Sequence, residues 1–405
     1  MKQKRLSVDQ LPLKPTKIFG LISPNNSKIW TYPLCIFSLS VCLSSCLDVA
    51  DERAKKEAKV GFQSQRNVSV RIDDGLASIR RLEVSAEKIK LHLWVQAPQV
   101  KINIERTNQT LAQEIELQIS NVINGSTLIL QERDDDKAIS STELDTNFIG
   151  TTVVQSIFST INSHLSIQLK APIQDVNTPW QFAVFADVQE RINGIADLLE
   201  PMGKEAVTFA LISGDLTSMG KKHELEEFQD QIQTHLPFPC YATIGNHELG
   251  TEGIPFYHYF GRGSFNFTYG GTMFSLVDGA SASLAQTTQQ SLNRWLKEGR
   301  DQLHIFVTHI PLIDPDGTRG GAFASRLKAA TLLSKLKDNA VDYLVYGHVH
   351  TYRSFFQAGI PALISGGGGS IPMRFDGIGR HYAIFNVLAS EQQVSHRIQR
   401  IYPEE

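Results

Sequence analysis

The chain has 405 residues, 41% hydrophobic and 20% charged, with a formal net charge of −3. That balance describes a globular protein with room for two domains beyond any targeting segment. No long basic block and no interleaving of aromatic with basic residues is present, which argues against a specific nucleic-acid partner.

The first 46 residues differ in texture from the rest. Lys2, Lys4, Arg5, Lys14, Lys17 and Lys28 are opposed there by Asp9, and the apolar run Leu34-Cys35-Ile36-Phe37-Ser38-Leu39-Ser40-Val41-Cys42-Leu43 follows. The run has the length of a signal-peptide core and is shorter than the roughly 20 apolar residues that span a bilayer. It ends in Leu43-Ser44-Ser45-Cys46, which resembles the bacterial lipoprotein cleavage box. The expectation is a signal over 1–46 with lipid on Cys46, placing the protein in the bacterial envelope. The periplasmic face of the outer membrane or the cell surface would be its site. An uncleaved anchor or a buried apolar strand is the competing reading. After removal of the signal, Cys46 and Cys240 would be the remaining cysteines, so no disulfide scaffold is expected. Residues 47–66, rich in alternating charge, read as a polar tether.

From 67 to 173 the pattern is β-like. Val68, Val70 and Ile72 alternate with polar residues, as do Leu91, Leu93 and Val95, Ile102 and Ile104, and Leu128 and Leu130. Asn124-Gly125 and Asp134-Asp135-Asp136 punctuate these strands as turns. The acidic trio lacks the glycine and distal glutamate of a calcium loop. A β-sandwich-like domain serving as spacer and support is expected.

After Pro172 and Pro179 apolar strands alternate with helices. Phe182–Ala186 runs into Asp187-Val188-Gln189, and Val207–Ile212 into Ser213-Gly214-Asp215. Tyr241–Ile244 runs into Gly245-Asn246-His247-Glu248, and His304–Val307 into Thr308-His309. Tyr343–Tyr346 runs into Gly347-His348-Val349-His350. Helices are expected around Ile192, Ile195, Leu198 and Leu199, around Leu225, Phe228 and Ile232, around Leu292, Trp295 and Leu296, and around Leu327, Leu333 and Leu336. Five successive strands thus end on a carboxylate, amide or imidazole, and in open α/β sheets such groups are aimed into one crevice. A glycine beside a ligand allows a sharp turn and keeps bulk away from it.

Two aspartates, one asparagine, one glutamine and three histidines form a mixed O/N donor set without thiolate. Such a set favours Mn, Fe or Zn over a purely oxygen-ligated Ca or Mg site. Seven donors exceed one tetrahedral centre, so two adjacent metals sharing a carboxylate fit better, and paired metals suit phosphoryl displacement.

The ordered series Asp187-x-Gln189, Gly214-Asp215, Gly245-Asn246-His247-Glu248, Thr308-His309 and Gly347-His348-Val349-His350 resembles the calcineurin-like metallophosphoesterase family. The resemblance implies an α/β fold over 180–405: a four-layer α/β-β/α sandwich, here preceded by the smaller all-β region, with two divalent metals at its crest. It further implies that Asp215 bridges the metals. Asp187, Gln189 and His350 would complete one site, and Asn246, His309 and His348 the other. A metal-bound hydroxide would attack phosphorus in line, and His247 would protonate the leaving oxygen. The substrate would be a small-molecule phosphate ester: monoester, diester or nucleoside-diphosphate-linked. The family's usual first motif is Asp-x-His. Gln189 departs from it with a neutral, weaker ligand, as in a branch that includes manganese-dependent nucleoside-diphosphate-linked pyrophosphatases. The rival expectation is an envelope lipoprotein that keeps the fold for binding with weak or no turnover.

Arg319, in the Thr318-Arg319-Gly320-Gly321 loop, and Arg353 are candidate phosphate contacts, set against solvated loop arginines. Gly366-Gly367-Gly368-Gly369-Ser370 lacks the Gly-Lys-Ser/Thr of a P-loop and reads as a tight turn or a substrate contact. Asp314-Pro315-Asp316-Gly317 reads as a turn, and Cys240 as buried. No Gly-x-Ser-x-Gly elbow points to a serine hydrolase. The sequence leaves oligomeric state and metal identity open.

Overall fold

The computed structural model describes residues 50–107, 113–132, 140–318 and 320–402. The expected signal over 1–46 with Cys46, the Asp134-Asp135-Asp136 turn and Arg319 lie outside these described residues. Among the described residues no helix is long and apolar enough to cross a membrane.

The stretch expected as a polar tether is packed from residue 50 onward. Helix α1, over residues 50–57, puts Arg53 and Glu57 one turn apart on one face, and both are buried. Arg53 donates to both carboxylate oxygens of Asp278, from Nε at 3.0 Å and Nη2 at 2.9 Å, and to Ser281 Oγ at 2.6 Å. Glu57 accepts the Ser264 backbone N–H at 2.8 Å. The partners lie about two hundred residues away in sequence, so charge composition alone reads as solvated where the fold provides counter-charges.

Eleven strands follow: β1 (Phe62–Gln65), β2 (Val68–Ile72), β3 (Ala77–Val84), β4 (Lys88–Val95), β5 (Gln99–Arg106), β6 (Gln113–Ser120), β7 (Thr127–Glu132), β8 (Ser140–Glu143), β9 (Asn147–Ile149), β10 (Val153–Thr160) and β11 (His164–Lys170). They form two sheets, ordered β1-β2-β5-β11-β7-β8 and β3-β4-β6-β10-β9. Alternation drives the packing. Ile115, Leu117 and Ile119 of β6 enter the shared core while Glu114, Glu116 and Gln118 face outward, and β4 and β5 repeat the period. This sandwich is more than a spacer, because Asn121 clasps the next region. Its amide donates to Val95 O and Cys240 O, both at 2.7 Å, and its carbonyl accepts the Cys240 N–H at 2.8 Å. Trp94 adds an edge-to-face contact with Phe260 at 5.8 Å.

The remaining elements are β12 (Trp180–Phe185), α2 (Ala196–Gly203), β13 (Ala210–Ser213), α3 (Lys222–His235), β14 (Cys240–Thr243), α4 (Phe256–Tyr259), β15 (Phe265–Tyr269), β16 (Thr272–Val277), α5 (Gln286–Glu298), β17 (Leu303–Thr308), α6 (Arg326–Asp338), β18 (Tyr343–Tyr346), β19 (Tyr352–Gln357), β20 (Ile360–Ser365), β21 (His381–Leu388) and β22 (Gln393–Arg400). One sheet runs β14-β13-β12-β21-β22 and the other β15-β16-β17-β18-β20-β19, with parallel pairing at each centre. Both faces of these strands are apolar and bury against different layers. Phe182 and Val184 of β12 join Val307 of β17 and Val345 of β18 between the sheets. Ala183 and Phe185 pack under α2 and α3, while Phe306, Leu344 and Tyr346 pack under α5 and α6. The result is the four-layer α/β-β/α sandwich.

Two details depart from the expected helices. The stretch expected as one helix through Ile192 and Leu199 splits at Gly194 into a 3-10 turn and α2. In α6, Leu333 and Leu336 are buried as the spacing suggests, but Leu327 is 78% exposed.

Candidate metal centre

β12, β13 and β14 are adjacent and parallel, and so are β17 and β18, so all five deliver their following residues to one end of the two sheets. Asp187, Gln189, Asp215 and His348 each take a positive φ, at 62°, 48°, 53° and 70°. A left-handed non-glycine residue costs on the order of 1–3 kcal/mol, and such strain concentrates at functional sites. The neighbouring glycines make room. A Cβ on Gly245 would come within 2.2 Å of Asp215 Oδ1, and one on Gly347 within 2.8 Å of Asp187 Oδ2.

Asp215 lies at the middle. Its Oδ1 accepts the His247 backbone N–H at 2.9 Å, while its Oδ2 lies 3.1 Å from His309 Nε2 and 3.1 Å from Gln189 Nε2. On one side, Gln189 Nε2 is 3.2 Å from His350 Nε2, which is 3.6 Å from Asp187 Oδ1. On the other, His309 Nε2 is 3.0 Å from Asn246 Oδ1, and the His309 and His348 rings sit 5.1 Å apart. One donor atom from each of Asp215, His309 and His348 can be drawn within 4.8 Å of the others. The seven residues therefore fall into two clusters that meet at the Asp215 carboxylate.

Backbone carbonyls set the tautomers. Nδ1 of His309 lies 2.7 Å from Ser213 O, Nδ1 of His350 is 2.9 Å from Ile371 O, and Nδ1 of His247 is 2.7 Å from Ser218 O. A carbonyl only accepts, so each Nδ1 carries a proton; at His309 and His350 this leaves Nε2 as the nitrogen that can present a lone pair toward the crest. His348 is reversed: Nε2 donates to Gly320 O at 3.0 Å, leaving Nδ1 bare. Lone pairs of His309 Nε2, Asn246 Oδ1 and Asp215 Oδ2 thus converge within hydrogen-bond distance, an arrangement that calls for positive charge. The titration directions agree. Burial opposes charging His309, yet the Asp215 carboxylate raises it well above the usual imidazole range. Burial works against ionised Asp215 too, and the His309 charge overcomes it, depressing Asp215. Burial, assisted by the Asp215 charge, raises Asp187. Two carboxylates, an amide oxygen and bare imidazole nitrogens fit divalent transition metals. Gln189 is the exception in orientation, since its amide nitrogen rather than its oxygen faces Asp215.

Glu248, quoted in its motif but given no role by sequence, organises the loops from beneath. Fully buried, it accepts Asp215 N at 3.0 Å and Gly245 N at 2.9 Å through Oε2. Its Oε1 accepts Thr217 N and Thr217 Oγ1, both at 3.0 Å. The glycine run takes the turn alternative. Gly368 N donates to Ala186 O and Ser370 N to Asp187 O, both at 2.9 Å, so the run wraps beneath the Asp187 loop. Asp314 caps its own turn, accepting Asp316 N at 2.9 Å. Arg353 pairs with Asp316 at 2.8 Å and stacks over Phe375, tying the loop after His309 to the loop after the glycines. Cys240 is buried at 1% exposure.

The calcineurin-like phosphoesterase family matches residues 181–352. No curated protein matches the chain. Among solved structures, a purple acid phosphatase from yellow lupin (Lupinus luteus) seeds is 13% identical, with a TM-score of 0.48, covering 75% of this chain and 70% of that one. A dimetal phosphatase from Danio rerio is 13% identical, with a TM-score of 0.43, covering 55% of this chain and 96% of that one. GAP50, the anchor in the inner membrane complex of Plasmodium, is 15% identical, with a TM-score of 0.41, covering 56% and 90%. Residues 181–352 carry the match to the calcineurin-like phosphoesterases, and that match supports a metal-dependent phosphoric ester hydrolase.

Proposed function

We propose that the chain hydrolyses a small-molecule phosphate ester on a dinuclear centre, with Asp215 shared between the metals. Asp187, Gln189 and His350 would hold one ion, and Asn246, His309 and His348 the other. The observation that carries this reading is the meeting of two donor clusters at Asp215 Oδ2, 3.1 Å from both His309 Nε2 and Gln189 Nε2. Two divalent metals there would lower the pKa of a water and neutralise charge on the phosphoryl oxygens.

The chain's own groups supply positioning and proton transfer. The substrate phosphoryl group enters from the side of His247 and His350, whose side chains are 33% and 20% exposed while the aspartates are buried. His247 is the general acid. With Nδ1–H held by Ser218 O, the proton it gives to the leaving oxygen is the one on Nε2, 3.8 Å from Asp215 Oδ2. Asp215 and Asn246 hold that ring's backbone and the neighbouring donor in register. Substrate selection falls to the loops over 249–272 and 310–324, with Arg319 and Arg353 as candidate phosphate contacts, and Gln189 favours diester or diphosphate linkages. Asp215→Asn with Mn or Fe, assayed on monoesters, diesters and diphosphates, tests the claim. Wild-type turnover lost in the variant supports it, and equal inactivity of both defeats it in favour of a binding protein that keeps the fold.

The Leu43-Ser44-Ser45-Cys46 box supports lipid on Cys46 and an envelope location. Labelled palmitate incorporated by the wild type and lost in Cys46→Ser is the corresponding test.

A further inference from the structure

Helices α5 and α6 leave an open groove of about 230 Å³ between them. Its walls are apolar, from Leu284, Phe323, Leu327 and Leu332, while Lys328 and Lys335 stand at its rim. Leu327 is 78% exposed, half a turn out of phase with the buried Leu336 of the same helix. The outer surface of α6 is cationic. The helix carries four cations, Arg326, Lys328, Lys335 and Lys337, of which Lys328 and Lys335 border the groove, against one carboxylate, Asp338, which accepts the Ser334 Oγ–H at 3.4 Å. A cationic helix with an exposed apolar side chain is the pattern that settles on anionic lipid.

The described chain begins at the N-terminal end of α5. The Asp51 side chain accepts the Gln286 backbone N–H at 2.7 Å, at the first residue of α5, and Arg53 holds Ser281 just before it. Gln289, one turn further along α5, lines the groove. The described chain from residue 50 is therefore fastened at the N-terminal end of α5, the end at which Ser283 and Leu284 enter the groove lining.

We propose that the groove between α5 and α6, with its lysine rim, rests on the anionic lipid surface of the membrane. An apolar group from the lipid would fill the groove beside Leu327, and the lysines would meet headgroup phosphates. The consequence for catalysis comes through one loop. Phe323, in the groove wall, would lie 3.3 Å from a Cβ placed on Gly279, and Gly320, three residues earlier, holds His348 by its carbonyl. Docking would set the metal crest one loop away from the lipid surface. The docking rests on the anchor proposed for Cys46 for its membrane, and it is tested in a protein without that anchor.

The full chain carrying Cys46→Ser is the reference protein, co-sedimented with phosphatidylcholine vesicles with and without phosphatidylglycerol. Lys328→Glu with Lys335→Glu should lower partitioning onto the anionic vesicles roughly tenfold or more relative to that reference, at about 1 kcal/mol per basic residue. Leu327→Asp should lower it as well, and Lys170→Glu on β11 should leave it unchanged. The apolar run at 34–43 is common to all these proteins and cancels in the comparison. Unchanged thermal unfolding shows that the exposed substitutions leave the fold intact. The proposal is overturned if the double reversal partitions like the reference, or if Lys170→Glu loses as much. It is also overturned if the reference dimerises without vesicles through a contact that the reversal abolishes. Absence of palmitate on wild-type Cys46 would count against the anchor alone and leave the vesicle comparison to decide the docking face.

Discussion

The Glu248 carboxylate lies directly behind Asp215, accepting that residue's backbone N–H at 3.0 Å from a fully buried position. It binds the β13 loop to the β14 loop, since the same oxygen takes Gly245 N at 2.9 Å. Burial raises its carboxyl, with the Asp215 charge adding to the rise and the N–H donors opposing it.

Glu248→Gln keeps the size but turns an amide N–H toward at least one backbone donor. Partners of this kind, once removed, typically reduce metal affinity about 10–100-fold. Metal titration by calorimetry should show that loss with the circular dichroism spectrum unchanged. Affinity equal to wild type would mean that the loops hold their register without this carboxylate.

The buried Arg53–Asp278 pair makes a second prediction. Arg53→Met leaves Asp278, 5% exposed, without its bidentate partner. Breaking a buried pair by removing one member costs roughly 3–5 kcal/mol, to be read from urea unfolding. A loss below about 1 kcal/mol, the size of a surface pair, would show that α1 is not held by this contact.

Glu57 gives stability a pH dependence. Burial and the nearby Asp278 charge raise its carboxyl to about 8, against Ser264 N–H, Arg262 and Arg53, and its Oε2 has no hydrogen-bond partner. A carboxyl raised in the folded state contributes stability that is fully present below its unfolded value of 4.5 and is lost as pH rises through about 8. Glu57→Gln retains an oxygen for Ser264 N–H and removes the titration. Its melting temperature should fall less than wild type between these pH values, and parallel pH profiles would refute the assignment.

Gln189 offers a test at the crest itself. Gln189→His restores the stronger imidazole ligand of the family's usual motif, so the metal shared with Asp187 and His350 should bind more tightly. Competition with a chelator measures this, and unchanged retention would show that residue 189 is not a ligand.

What the sequence revealed and concealed follows from the range of each interaction. The five strand ends were legible because apolar runs stop at Gly214-Asp215, Gly245-Asn246 and Gly347-His348, and those glycines are required by close approach to the ligands. The carbonyls of Ser213, Ser218, Gly320 and Ile371, which fix the imidazole tautomers, left no trace because every residue type carries one. Arg53 and Glu57 were misread as solvated because their partners, Asp278 and Ser264, come from the far side of the chain. Leu327, grouped with Leu333 and Leu336 in the sequence, is exposed because the helical period sets it half a turn out of phase with Leu336.

The central claim is two metals meeting at Asp215, and metal content per chain tests it most directly. Elemental analysis of the protein purified with Mn or Fe should return two ions per chain, falling to one in His350→Ala while His309, Asn246 and His348 keep theirs. One ion or none in the wild type, or two retained in His350→Ala, would contradict the account.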